Sequence, residues 1–222
     1  MRRSLGISLF CLFAFLLSAS FASANSVELL TFYHLQDLQQ VGNFYNGGVS
    51  NASVPNYGIT FSSNFYGLIS ASQGGVGNFA PDPTFTPVIF ILGSVSQTAT
   101  GTMNVTNGFA SGINFFYTAA FQETAKVWSG LNGTGSLLAT INLTPNDSGC
   151  TTFAYCNWTD VGAAFSGTAK SVTFTGLADG VGIADITLGQ RASLVPEPST
   201  FYLLGTGIAC FCAQGIRRLV KR

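Results

Sequence analysis

GTMNVTNGFASGINFFYTA, residues 101–119, decides the class of the fold. Met103 and Val105 alternate with polar neighbours before Asn107-Gly108, and Ile113, Phe115 and Tyr117 alternate after it. Successive side chains of a strand point to opposite faces, so a period of two marks a strand with one buried side. Asn-Gly accepts the positive φ angles that a tight hairpin turn demands. The spacing predicts two strands folded back on each other at Asn107-Gly108. AKVWSGLNGTGSLLATINL (125–143) has the same form, with its turn at Asn132-Gly133.

Working outward, YGITFSSNFYGLIS (57–70), TPVIFILG (86–93), AKSVTFTGL (169–177) and VGIADITLG (181–189) are further short runs rich in β-branched and aromatic residues. Short strands with turn signals every ~8–12 residues predict an all-β, antiparallel two-sheet sandwich of the jelly-roll kind. The 26 glycines fit turns and bulges better than long helices. One stretch departs from this pattern. In LQDLQQVGNFY (35–45), Leu35, Leu38 and Val41 keep a spacing of three, which predicts one or two helical turns at the edge of the sheet.

Only 8% of the residues are charged, against roughly 25% in an average soluble protein. Between residues 25 and 195 three bases, Lys126, Lys170 and Arg191, stand against eight acids. A nucleic-acid binder carries a basic patch on its folded body; this body is acidic, and nucleic acid is excluded as a partner. Arg2-Arg3, the apolar run Leu5–Leu17 and the small-x-small site Ala22-Ser23-Ala24 predict a secretory signal peptide over residues 1–24. Cys11 falls inside it, and Cys210 and Cys212 fall in a C-terminal apolar run. Cys150 and Cys156 remain in the exported body, where an oxidising compartment favours a disulfide between them. A zinc site would need more ligands than His34, the single histidine, can add.

The C-terminus has three parts in order. Val195-Pro196-Glu197-Pro198 comes first, then the apolar Phe201–Ile216, then Arg217-Arg218 and a further Lys221-Arg222. Sixteen residues give a helix of roughly 24 Å at 1.5 Å per residue, short against a hydrocarbon core of about 30 Å. The bases favour the cytoplasmic side, and Pro196 and Pro198 keep Glu197 out of a helix and in an extended segment. This tail resembles the sorting segment of the PEP-CTERM proteins of Gram-negative bacteria. The resemblance implies an exosortase as partner and a transient inner-membrane anchor over residues 194–222. It also implies a body, residues 25–193, delivered to the cell surface or extracellular matrix beside exopolysaccharide and biofilm components. LTFYHLQDLQQVGNFYNGG (29–48), YGITFSSN (57–64), VWSGLNGTGSLLATINL (127–143) and IADITLG (183–189) are similar to the β-sandwich of many proteins in that group. Where the group often has an aromatic residue and Asp, this chain has Ile183 and Ala184. A permanent single-pass anchor is the competing reading of the tail.

The chemistry-bearing residues are few. A Ser-His-Asp arrangement would depend on His34, which stands between apolar neighbours, and no G-x-S-x-G elbow occurs. The acids are scattered, and QGGVGN (73–78) lacks the lysine and strand-to-helix setting of a phosphate loop. No catalytic residue is assigned, and the expected function is non-enzymatic; a secreted hydrolase acting on polysaccharide is the alternative. Likeness to jelly-roll carbohydrate modules implies a structural calcium held by an acid of the first strand and one of the last, here Glu28 and Asp185. Loop 46–56 would supply further oxygens. Exposed aromatic faces can stack on sugar rings. Tyr155 and Trp158, in the disulfide loop, and Trp128 are the candidates, although Trp128 lies in an alternating strand where core packing is the simpler expectation.

Overall fold

The computed structural model describes residues 27–48, 53–94 and 96–189. The signal-peptide segment 1–24 and the sorting segment 194–222, with Val195, Pro196, Glu197, Pro198, Arg217 and Arg218, lie outside the described residues. The described chain is an all-β antiparallel sandwich. Its strands are β1 (Glu28–Leu30), β2 (Ile59–Phe61), β3 (Phe65–Leu68), β4 (Val88–Ile91), β5 (Thr98–Ala119), β6 (Glu123–Trp128), β7 (Leu137–Leu143), β8 (Thr159–Leu177) and β9 (Val181–Leu188). A single 3-10 turn covers Ala71–Gln73.

The hydrogen-bonded order is β3-β4-β9-β5-β8-β6-β7, with β1 on β9 and β2 on β5. β5 and β8 are long and belong to both layers. Thr98–Asn104 of β5 pair with Ser171–Leu177 of β8, and β6 and β7 extend that layer. Ile113–Ala119 of β5 pair with β9, which carries β4 and β1 in the other layer. The β5–β8 register shifts between Asn104 and Phe109, and again between Ala110 and Gly112. Bulges bend strands and raise their twist, so the pair turns there from one layer into the next.

This corrects the hairpin expected at Asn107-Gly108. Gly108 has φ +72°, as a turn residue would, but β5 runs straight through it. The positive φ serves a bulge, and the strand continues because β8 offers partners on both sides of it. Asn132-Gly133 does form a turn, within the connection between β6 and β7. Its φ angles of 56° and 67° are both positive, as a type I′ geometry requires.

The helix expected at 35–45 is absent. The segment is a chain of tight turns, with Leu35 N–H donating to Phe32 O (2.9 Å), Gln39 N–H to Gln36 O (3.1 Å) and Phe44 N–H to Val41 O (2.8 Å). Leu38 at φ 56° and Gly42 at φ 42° break any helical run. Leu35 and Val41 are buried whereas Leu38 is 55% exposed, so the three residues share no face. The Asp37 carboxylate fastens this segment to its neighbour by accepting from Ile69 N–H (2.8 Å) and Val76 N–H (2.9 Å).

The core between the layers is aromatic. Phe32, Phe61, Phe65, Phe174 and Phe115 form a continuous edge-on series with centroid spacings of 5.4–6.1 Å. Glu123 is buried at the edge of this core, with Leu177 N–H donating to Oε1 (3.1 Å). A Cβ added at Gly176 would clash with its Oε2, so the glycine makes room for the acid. Burial raises the Glu123 pKa from 4.5 to about 7. The folded chain therefore keeps this proton to about pH 7, while the unfolded chain loses it near 4.5. The stability linked to the proton is full below 4.5 and is lost as pH rises through 7. Glu123→Gln should remove that loss and raise the thermal midpoint at pH 8 by about 4 °C or more, with little change at pH 4.5. Calorimetry at the two pH values checks this.

Candidate binding site on the outer face of one layer

The outer face of the β4–β9–β5 layer is built from small and apolar residues. Val88, Ala184 and Phe79 form a second buried cluster there, apart from the main core, with Leu68, Phe116, Tyr155 and Trp158 packed against it. Two loops close over this face. Ala80 N–H donates to Tyr155 O (2.8 Å), and Ala154 N–H to Asn78 Oδ1 (3.1 Å), so the segment before β4 and the Cys150–Cys156 loop hold each other. The structure joins Cys150 to Cys156 as a disulfide. Trp158 Nε1–H donates to Ala80 O (2.9 Å), and its ring meets Phe79 edge-on at 6.0 Å. Tyr155 O–H reaches Asp179 O at 3.0 Å.

Between the loops and the sheet lies a cavity of about 200 Å³. Its walls include Phe79, Val88, Phe90 and Tyr155, its floor Thr118 and Gly182, and its rim Asn78 and Asp179. Burial raises the Tyr155 pKa first of all, and the negative charges of Glu123, Asp147 and Asp179 raise it further. The phenol is therefore a neutral group that can both donate and accept. Burial also raises Asp179.

Tyr155 and Trp158, singled out in the sequence, meet at this site. Trp128 does not: it lies on β6 in the other layer, where its Nε1–H donates to Thr173 Oγ1 (3.0 Å). It is half-buried on the outer side, opposite in phase to the buried Ala125 and Val127, which corrects the expectation that it packs in the core. Phe79, Phe90, Thr118 and Gly182 were not anticipated. Phe79 sits beside a glycine-rich run that reads as plain loop, and the other three are ordinary members of strands or their ends.

Glu28 and Asp185 have different surroundings. Glu28 pairs with Leu188 and lines a cavity of about 60 Å³ beside Tyr57, Val105 and Asn107. Asp185 instead faces the segment before β4, where Thr84 Oγ1 lies 2.7 Å from its Oδ2 and 2.6 Å from Asp82 Oδ2. Asp82 also accepts from Thr84 N–H (3.2 Å) and Thr86 N–H (2.8 Å). The Thr84 hydroxyl has one proton for two carboxylates. Burial raises the Asp185 pKa, the Thr84 hydrogen bond lowers it, and the charge of Asp82 raises it again. Calcium takes six to eight oxygens, and residues 49–52 of the loop expected to supply some of them lie outside the described residues. Among the described residues no group of three or more His, Cys, Asp or Glu could hold a metal. His34, at φ 75°, meets the ring of the exposed Tyr33 at a tilt, with centroids 4.3 Å apart.

No family model matches this chain, and no curated protein matches it. Solved structures do. One is a family 6 carbohydrate-binding module, at 12% identity and a TM-score of 0.39, covering 74% of this chain and 94% of that one. Another is a family 29 carbohydrate-binding module, at 9% identity and a TM-score of 0.40, covering 73% and 88%. A third is a family 43 arabinoxylan arabinofuranohydrolase from Bacillus subtilis, at 18% identity and 0.36, covering 61% of this chain and 27% of that one.

Proposed function

We propose that this protein is a non-enzymatic, exported polysaccharide-binding protein of the cell surface or extracellular matrix. The observation that carries the reading is the cavity of about 200 Å³ walled by Phe79, Phe90 and Tyr155 and rimmed by Asn78 and Asp179. Apolar pockets with a few convergent polar groups are the usual form of small-ligand sites. Aromatic walls suit the apolar faces of sugar rings, and the polar rim suits their hydroxyls. The order Val195-Pro196-Glu197-Pro198, apolar run, Arg217-Arg218 supports sorting by an exosortase from a transient inner-membrane anchor.

Binding to a panel of polysaccharides, run beside a hydrolysis screen on the same polymers, tests the first part. Retention without cleavage is the expected result. Cleavage would favour the secreted hydrolase. The C-terminal peptide of surface-extracted protein tests the second part. Recovery of molecules still ending in Lys221-Arg222 as the main species would mean a permanent anchor.

A further inference from the structure

We propose that the cavity selects a polysaccharide whose sugars carry free amines, an inference that rests on the polysaccharide-binding reading above. Two properties of the site meet in that choice: its walls are aromatic, and its charge is of one sign. Phe79, Phe90 and Tyr155 stand around the cavity, and the exposed Asn78 and Asp179 stand at its rim. Among the described residues that line it, none is Lys, Arg or His. The described lysines lie elsewhere. Lys126 pairs with Thr140 and Thr173 in the other layer, and Lys170 stands beside Gly108 at the bulge. The acids, in contrast, act on this side. The Tyr155 pKa, raised first by burial, is raised further by the negative charges of Glu123, Asp147 and Asp179. Its O–H donates to Asp179 O at 3.0 Å, which holds the ring beside the turn that carries the Asp179 carboxylate.

Charge decides between the classes of polymer. A polymer bearing carboxylates would meet repulsion from Asp179 with no base at the site to offset it. A neutral polymer would bring only hydroxyls to a rim that carries a charge. An ammonium group is attracted by the carboxylate, and aromatic faces attract cations as well as carbon surface. Its three N–H groups donate and none accepts, which suits a carboxylate. The ammonium stays at the rim, where water still reaches it, so it avoids the cost of burying a charge in an apolar interior. The apolar face of the ring that bears it packs on the aromatic walls. A lysine side chain of a protein partner offers the same ammonium, but only a thin methylene stem to cover those walls.

The test uses the full-length chain and oligomers of equal length made of glucosamine, N-acetylglucosamine, glucose and galacturonate, with an oligolysine as a control for charge alone. The glucosamine oligomer should bind about tenfold or more tightly than the N-acetylated and glucose oligomers, a difference of about 1.4 kcal/mol, and the galacturonate oligomer should not be retained. Raising the salt from ~0.05 M to ~0.5 M should shrink the preference, because exposed charges are screened. Asp179→Asn removes the charge and keeps a residue type that accepts the φ of 61° at this position; it should bring the glucosamine and N-acetylglucosamine affinities together. Glu28→Gln removes a carboxylate from the other cavity and should keep the preference. Circular dichroism of each variant checks that the fold is intact. Equal binding of the amine-bearing and N-acetylated oligomers to the unaltered chain, or a preference that survives Asp179→Asn, overturns the proposal. So does oligolysine binding as tightly as the glucosamine oligomer, which would mean that charge alone is recognised. If the neutral oligomers bind as well as glucosamine and Tyr155→Ala removes that binding, the polysaccharide reading stands and the amine reading falls. If no oligomer binds, both fall.

Discussion

Phe174→Ala should cost the fold about 3–5 kcal/mol and lower its thermal midpoint by about 10 °C. Phe174 is 1% exposed on the part of β8 that lies in one layer, and it meets Phe115 of the other layer at 5.5 Å and Phe65 at 6.0 Å. Truncation would remove the ring that links Phe65 to Phe115 in an edge-on series that begins at Phe32 and Phe61. The neighbours cannot collapse into the gap easily. Phe65 is already pressed against backbone: a Cβ added at Gly101 would clash with its ring. Interiors this dense retain much of the cavity that a truncation opens. Phe174→Leu, which keeps most of the volume, should cost less than half as much. Denaturant unfolding of the three proteins checks the order; a cost under about 1 kcal/mol for the alanine variant would mean that the layers do not depend on this contact.

Tyr155→Ala should weaken polysaccharide binding about a hundredfold, or about 2.7 kcal/mol, while the protein stays folded. Tyr155 is half-buried at the cavity, and its ring is the wall supplied by the disulfide loop. Four of the loop's anchors do not use the side chain. Ala80 N–H bonds the Tyr155 carbonyl, Ala154 N–H bonds Asn78, Trp158 bonds Ala80 O, and the Cys150–Cys156 disulfide closes the loop. Tyr155→Phe keeps the stacking surface and loses only the hydrogen bond to Asp179 O, so it should retain most of the affinity. Calorimetric titration with a bound polymer from the panel measures both. Wild-type affinity in the alanine variant would place the site elsewhere.

The fold was more legible than the site, for a physical reason. Alternation is a local property, so the strands around Met103, Ile113, Val127 and Val172 could be read directly. Which strand a turn dipeptide ends is not local. Asn107-Gly108 has hairpin chemistry, yet β8 continues beside it and turns it into a bulge. Leu35, Leu38 and Val41 imitate a helix by spacing alone: Leu35 closes one turn, Leu38 lies inside the next and Val41 opens a third. The site is assembled from segments far apart in sequence: Asn78 and Phe79 before β4, Thr118 at the end of β5, Tyr155 after β7, and Gly182 in β9. Only the aromatic residues of the cysteine loop stood out beforehand. Nothing around Thr118 distinguishes it from other strand threonines until its hydroxyl is seen to lack a partner. Trp128 shows the reverse: a conspicuous residue whose outward phase and bond to Thr173 put it on the other layer.

The two tryptophans offer the most direct test of where the polymer binds. Trp158 packs on Phe79 beside the cavity, and Trp128 lies on the opposite layer. In a Trp128→Phe variant the emission comes from Trp158 alone. Titrating that variant with a polysaccharide that the protein retains should give a saturable shift in its emission, with a midpoint matching the calorimetric affinity. The complementary Trp158→Phe variant, which reports from Trp128, should stay silent under the same titration. A saturable response from Trp128 with none from Trp158 would contradict the account and move the binding surface to the other layer.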